Sequence, residues 1–229
     1  MQEIKSVNPD LLNQRIQRWD DMEFRKLQTF ATEKYWQDSS SINVFRVVGT
    51  QHPDYGGWTW LDFLQGGKRM GLNLSLLRDN PGYYYDTTRK QPTMFFHSLD
   101  GGDMYIGGDG NHRTCIAKAL FYLNGDSMIH GVSLTDWRID WALKKAFDEL
   151  IALTVQKGLP FFIEAVQETM DRDDSSGWMR EKYKPGVRVY DTKRNKRYLF
   201  TTSSEIMELL SSSHSRTTGR KILSFFSKR

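Results

Sequence analysis

The residues whose types and spacing suit chemistry lie in one stretch, Tyr105-Ile106-Gly107-Gly108-Asp109-Gly110-Asn111-His112-Arg113-Thr114. A strand pattern from Met104 to Ile106 runs into three glycines. From His112 to Leu123 the residues Ile116, Ala117, Ala119, Leu120 and Leu123 then give a helix with one apolar face. At such a helix start the first backbone N–H groups have no partner in the helix, and the positive end of its dipole lies behind them, so anions bind there. Glycines let a phosphate approach the backbone closely, Arg113 can fork onto two phosphate oxygens, and Asn111, His112 and Thr114 add donors. The competing reading is that Gly107, Gly108 and Gly110 only permit a tight turn, while His112 and Arg113 are ordinary first-turn residues. The Asn-His-Arg-Thr run favours the phosphate.

The pattern is not a Walker A loop, because no Gly-Lys-Ser/Thr ends it, and its glycines do not follow the dinucleotide fingerprint. Other constellations are weaker. Asp100, Asp103 and Asp109 would converge as metal ligands if a hairpin brings them to one end of a sheet, although turn chemistry explains the first two as well. Glu164 and Glu168 stand one helical turn apart, a spacing that suits paired carboxylates and suits a solvated face better. Tyr83, Tyr84 and Tyr85 read as a stacking platform for bases or as a loop anchor. His52, His97, His130 and His214 show no metal-ligand spacing, and no serine has a nucleophile-elbow context.

These residues need elements to position them. Asn8-Pro9-Asp10 and the apolar residues Leu11, Leu12, Ile16, Trp19, Met22 and Leu27 predict a long helix to about Tyr35, with a polar break over Asp38 to Ser41. Strands are expected at Ile42 to Val48, Thr93 to His97, Met104 to Ile106 and Met128 to Leu134, the middle two forming a hairpin through Leu99-Asp100-Gly101-Gly102. Helices are expected at Thr59 to Leu64, at Ile139 to Val155 behind a cap at Thr135 or Asp136, and from Pro160 to about Met170. Leu72 to Leu77 is ambiguous, and Asn80-Pro81-Gly82 is a turn. The polar stretch Asp171 to Gly177 is the best boundary, dividing the chain into 1–41, a core at 42–171, and 172–229. In the last part Val187 to Tyr190 and Arg197 to Thr201 predict a hairpin with a basic tip, followed by a helix capped at Ser203 or Ser204 and running to Leu210.

The chain has 229 residues, 38% of them hydrophobic, enough for one sizeable core with or without an appendage. Its one cysteine, Cys115, excludes an internal disulfide and a multi-thiolate zinc site, and suits a reducing compartment. MQEIKSVNPD lacks the apolar core of a signal peptide and no later run reaches membrane-spanning length, so a cytoplasmic location is expected. Net charge is +4 but unevenly placed: residues 188–229 hold 10 Lys or Arg against 3 Asp or Glu. Such a segment binds nucleic acid, an acidic protein or an anionic membrane surface, or is a solvated arm. The final stretch, Ser211 to Arg229, becomes basic and amphipathic, with Ile222, Leu223, Phe225 and Phe226 among Arg220, Lys221, Lys228 and Arg229. It is suited to dock on the body, a partner or a membrane surface.

The glycine turn resembles that of the ParB/sulfiredoxin superfamily. Asp109-Gly110 is similar to the Asp/Glu-Gly-x-Arg-Arg turn with which ParB domains hold nucleotide phosphates. Gly110-Asn111-His112-Arg113 is similar to the Gly-Cys-His-Arg turn of sulfiredoxins, with Asn111 in place of the cysteine, so sulfiredoxin chemistry is not implied. The likeness is firm over about ten residues and loose from Leu72 to Leu134, and Asn80-Pro81 stands where the family has a proline-containing segment. It implies an α+β fold: a small mixed sheet with flanking helices, joined by the long N-terminal helix and a C-terminal hairpin-helix extension. Within the superfamily the size and flanking helices look most like the plasmid-encoded Osa-type inhibitors of conjugative and T-DNA transfer, which are nucleotide-hydrolysing DNA nucleases.

The resemblance implies that Gly108, Gly110, Asn111, His112, Arg113 and Thr114 hold ATP or CTP, with Asp109, His112 and Arg113 the catalytic candidates. Asp109, a carboxylate beside phosphates, would bind Mg2+ or orient a water. His112 would pass a proton or simply donate to phosphate as a neutral imidazole. DNA would lie on Lys193, Arg194, Lys196 and Arg197. The expected activity is nucleotide hydrolysis with DNA cleavage, inhibiting plasmid transfer by acting on DNA or on a conjugative or type IV secretion component. The alternative is a non-catalytic, nucleotide-responsive module that binds DNA or protein in plasmid partition or transfer.

Overall fold

A computed structural model describes residues 10–213. Among these the chain forms seven helices and nine strands: α1 (Asp10–Asn13), β1 (Gln17–Arg18), α2 (Asp21–Gln28), β2 (Ala31–Asn43), β3 (Val47–Thr50), α3 (Trp60–Gly66), α4 (Met70–Asp79), β4 (Phe95–Leu99), β5 (Met104–Ile106), α5 (Asn111–Asn124), β6 (Met128–Ile139), α6 (Trp141–Lys157), β7 (Phe161–Ser175), β8 (Trp178–Asp191), β9 (Lys196–Phe200) and α7 (Ser203–Ser213). The class is mixed α+β, with a mixed sheet in the order β1-β3-β5-β4-β6-β2-β8-β7 and β9 on β8. β3 pairs parallel with β1 and β5, β4 pairs antiparallel with β5 and parallel with β6, and β9 is antiparallel to β8.

The described residues divide into two compact units. The first comprises residues 10–24, 34–138 and 172–180, the second 25–33, 139–171 and 181–213. The core of the first gathers Ile42, Val47, Trp60, Phe63, Leu74, Phe96, Ile106, Ile116 and Phe121. There α3 packs against α1 and α5, and α4 against α3 and α5. In the second unit Phe30, Leu143, Leu150, Val187, Val189, Phe200 and Ile206 are buried, and α6 packs against α7. Each core removes large apolar side chains from water, the main favourable term in folding.

Several expected elements appear as read. The β4–β5 hairpin turns through Asp100 and Gly101, both at positive φ. Thr59 caps α3 in a reciprocal box with Asp62. α5 ends at Gly125 in the left-handed region, α6 ends the same way at Gly158, and the basic hairpin forms between β8 and β9. The ambiguous Leu72 to Leu77 stretch lies inside helix α4.

Four readings are corrected. The long N-terminal helix is absent. After α1 the chain runs extended, with the Ile16 N–H donating to the Trp58 carbonyl (2.7 Å) and the Trp19 N–H to that of Thr50 (3.1 Å), and only residues 21–28 are helical again. Backbone partners from distant segments outweigh the local helical period there. The polar break at Asp38 to Ser41 is part of β2, which lies between β6 and β8 in the sheet. The cap of α6 is Asp140, whose side chain accepts the Leu143 N–H at 2.8 Å, because β6 runs on to Ile139. The helix from Pro160 to Met170 is strand β7: Phe161, Phe162, Ile163 and Val166 suit a strand, and β8 follows after a two-residue turn, Ser176-Gly177. The start signal Asn8-Pro9 and the segment 214–229, including His214, lie outside the described residues.

Candidate phosphate-binding site

β5 delivers the glycine turn, and β4 holds it in place. The Gly107 N–H donates to the Phe95 carbonyl (2.8 Å), and the Phe95 N–H to the Asp109 carbonyl (3.1 Å). A Cβ on Gly107 would lie 2.7 Å from Nε2 of His97, so glycine there is a packing requirement. Gly110, the N-cap of α5, has φ 121°, a conformation that strains any residue with a Cβ. Gly108 differs: its φ is ordinary, and a Cβ would meet nothing within 4 Å, so neither packing nor backbone explains the glycine. The outer face of the turn is open at that residue.

The α5 ladder begins with the Thr114 N–H donating to the Gly110 carbonyl at 2.8 Å, so the N–H groups of Asn111, His112 and Arg113 precede it. Their side chains divide. Asn111 is buried and its Oδ1 accepts from the Thr50 hydroxyl at 2.6 Å, which ties α5 to β3. Thr114 is fully buried, and its Oγ1 has no partner among the described residues. Arg113 engages both terminal guanidinium nitrogens within the protein: on the Tyr83 hydroxyl at 2.7 Å, the Pro92 carbonyl, and Asp109 Oδ2 at 3.1 Å, with the Thr93 carbonyl 3.5 Å away. Asp109 in turn accepts the Gly110 N–H at 2.6 Å. The guanidinium is thus a strut between the turn and the segment before β4.

His112 also keeps unused capacity and, unlike Thr114, lines a cavity. It packs on Phe63 (ring centroids 4.9 Å) and edge-on to Tyr55 (5.6 Å), and its Nε2 is buried with no hydrogen-bond partner among the described residues. Burial first, then the positive charge of Arg69 and of His52 when protonated, hold its pKa below 6.5, against the pull of Asp109. His112, Arg113 and Asp109 form one end of a cavity of about 410 Å3, within the range of small-molecule sites. Leu72, Asn73 and Leu76 of α4, Arg69 just before it, and Tyr83, Tyr84 and Pro92 line the same cavity. Arg69 precedes the first turn of α4, is exposed, and pairs with no carboxylate among the described residues.

No family model, no curated protein and no solved structure matches this chain.

The sequence singled out the α5 start but passed over the α4 wall. Arg69 stood beside a stretch of undecided type, and only the helix reveals that Leu72 and Leu76, four residues apart, share the cavity face. The three tyrosines separate: Tyr84 is buried, Tyr83 lines the cavity and accepts from Arg113, and Tyr85 is exposed and accepts from Asn124 at 2.5 Å. Asp100, Asp103 and Asp109 do not converge, and no three His, Cys, Asp or Glu side chains cluster as metal ligands among the described residues. Glu164 and Glu168 lie on strand β7, not on a helix, and Glu164 pairs with Arg188 at 2.5 Å.

In the second unit the β8–β9 tip displays Lys193, Arg194, Lys196 and Arg197, all exposed. The turn is organised by Asp191, fully buried, which accepts the N–H groups of Lys193 and Arg194 at 3.0 and 3.1 Å. Arg194 lies 3.7 Å from that carboxylate and Arg197 stacks over Tyr190, while Lys193 and Lys196 face no acid among the described residues.

Proposed function

We infer that the chain binds a nucleotide through its phosphates at the start of α5 and responds to it without turnover, as a DNA-contacting module of the ParB/sulfiredoxin kind serving plasmid partition or transfer. The observation that carries this is the set of residues on one cavity: His112, whose Nε2 is buried without a partner among the described residues, Arg113 in the first turn of α5, and the exposed Arg69, which pairs with no carboxylate among the described residues. A buried polar atom without a partner is costly, and a phosphate oxygen supplies one. The open face of Gly108 gives the backbone approach, and Leu72, Leu76 and Tyr83 offer an apolar wall for a base.

Binding without turnover is favoured because Asp109 and Arg113, the residues that would act on a water or the transferring group, hold each other and the turn. A magnesium ion would share Asp109 with Arg113 and take its remaining ligands from phosphates and water. The basic β8–β9 tip supports contact with a polyanion read by charge, not by sequence.

Calorimetric titration with ATP and CTP, each with magnesium, tests the reading. Wild type binds, Gly108→Ala and Arg69→Ala bind about tenfold or more weakly with unchanged melting temperatures, and product stays at background under saturating nucleotide. A wild type that binds neither nucleotide refutes the site; steady release of phosphate refutes the absence of turnover. A phosphate near Nε2 favours the imidazolium, so binding takes up a proton and tightens as pH falls below 6.5. Neutralising Lys193, Arg194, Lys196 and Arg197 flattens the salt dependence of DNA binding; an unchanged slope places DNA elsewhere.

A further inference from the structure

An apolar groove of about 560 Å3 runs between α6 and α7 of the second unit. Ala152 and Leu153 wall it from α6, Met207 and Leu210 from α7, and Glu149 stands at its edge. Leu153 and Leu210 are 8% and 6% exposed, but Met207 is 48% exposed, and Ile151 and Val155 on α6 are exposed as well. A patch of large apolar side chains between two packed helices marks an interaction site.

The sequence supplies an occupant of matching chemistry. Residues 214–229 follow directly from α7, whose last turns form one wall of the groove, so this segment starts beside it. Ile222, Leu223, Phe225 and Phe226 fall within five positions, and the segment has five Lys or Arg and no Asp or Glu. Glu149 at the groove's edge and Glu208 on α7 are of opposite sign. Eight residues separate Ser213 from Ile222, a reach of up to roughly 30 Å when extended, ample to return along two packed helices. Covalent attachment gives the segment an effective concentration on the order of millimolar, an advantage no separate partner has.

We propose that the C-terminal segment docks on its own chain, seating Ile222, Leu223, Phe225 and Phe226 in the α6–α7 groove. Docking covers Met207 and leaves the basic residues of the segment on the surface of the unit that carries the β8–β9 tip.

Cysteine trapping in the full-length chain tests the docking directly. In the double variant Met207→Cys, Phe225→Cys, mild oxidation yields a disulfide within one chain, because sulfurs join only when their Cα atoms approach within about 7 Å. Native Cys115 is fully buried, with its thiol pKa pushed up by burial, and does not compete. Absence of the bond, or a bond only between chains, overturns the proposal, the latter in favour of a second copy. Hydrogen exchange gives an independent reading without cysteines. In the full-length variant Phe225→Asp, Phe226→Asp, amides of Ala152 to Gln156 and Met207 to Leu210 exchange about tenfold faster than in wild type. Unchanged exchange there overturns the docking. So does binding of the wild-type chain to phosphatidylserine vesicles with groove protection unaltered, which assigns the segment to a membrane surface.

Discussion

Arg113 shows how a residue chosen from the sequence for one kind of chemistry serves another need in the fold. Its guanidinium satisfies the Pro92 carbonyl, the Tyr83 hydroxyl and the Asp109 carboxylate, and its side chain is 12% exposed. Arg113→Ala therefore lowers stability by about 1–3 kcal/mol, read from denaturant unfolding, because several polar groups lose a partner together. Arg69→Ala, at an exposed residue, leaves stability within about 0.5 kcal/mol. Equal losses for the two variants refute this division of labour. Residue type and spacing marked Asn111, His112 and Arg113 together. Which of them faces inward depends on Thr50 and Pro92, at positions in the sequence that no local pattern connects.

Histidine burial sets a pH dependence of definite sign. Burial holds both His97 and His112 below 6.5, with Asp21 opposing and Lys34 adding at the first, and Arg69 and His52 adding and Asp109 opposing at the second. The unfolded chain, whose histidines titrate near 6.5, binds protons more readily than the native one just below that pH. Stability is therefore complete above 6.5, falls as pH drops through 6.5 toward the native values, and levels off beneath them. Melting curves between pH 7.5 and 5 follow this course, and the variant His97→Gln, His112→Gln flattens it. A wild-type melting temperature that rises over the same interval contradicts the sign.

At the scale of elements, the loop before β4 is as much a part of the site as α5 is. It is pinned where the Lys90 N–H donates to the Gly131 carbonyl at 2.7 Å. Gly131 lies in β6 at φ 67°, and a Cβ there would fall 1.8 Å from the Thr88 carbonyl oxygen. Gly131→Ala costs more than about 2 kcal/mol, and because the displaced loop carries Pro92, it also weakens nucleotide binding. A variant as stable as wild type shows that the loop yields freely. The glycine's role was hidden in the sequence, where Gly131 read as an ordinary residue of a strand. By contrast the bodies of α5 and α6 were legible because their apolar periods and their stops, Gly125, Lys157 and Gly158, are local chemistry, whereas the cap of α6 was not, since β6 runs on to Ile139. Strands β2 and β7 were not. Their polar residues look like breaks or helix faces until β6 and β8 come alongside to pair with them.

At the scale of the whole molecule, the described residues form two compact units with separate cores, and no helix among them is long and apolar enough to cross a membrane. Nucleotide binding is proposed for the first and polyanion contact for the second. Variants in one unit should leave the other's ligand affinity within about twofold unless the units are coupled, a comparison that calorimetry and a salt titration make directly.

The chain's lone thiol adds a built-in clock. Cys115 is fully buried and donates to the Trp60 carbonyl, so Ellman's reagent reaches it only when α5 separates from α3. Its modification counts opening events of the helix whose first turn forms the proposed phosphate site. At saturation near one hundred times Kd, a nucleotide held there stabilises the closed form by about 2.7 kcal/mol and slows labelling by about a hundredfold. A single absorbance trace would then report occupancy of the turn and local stability of α5 together, without any label being introduced.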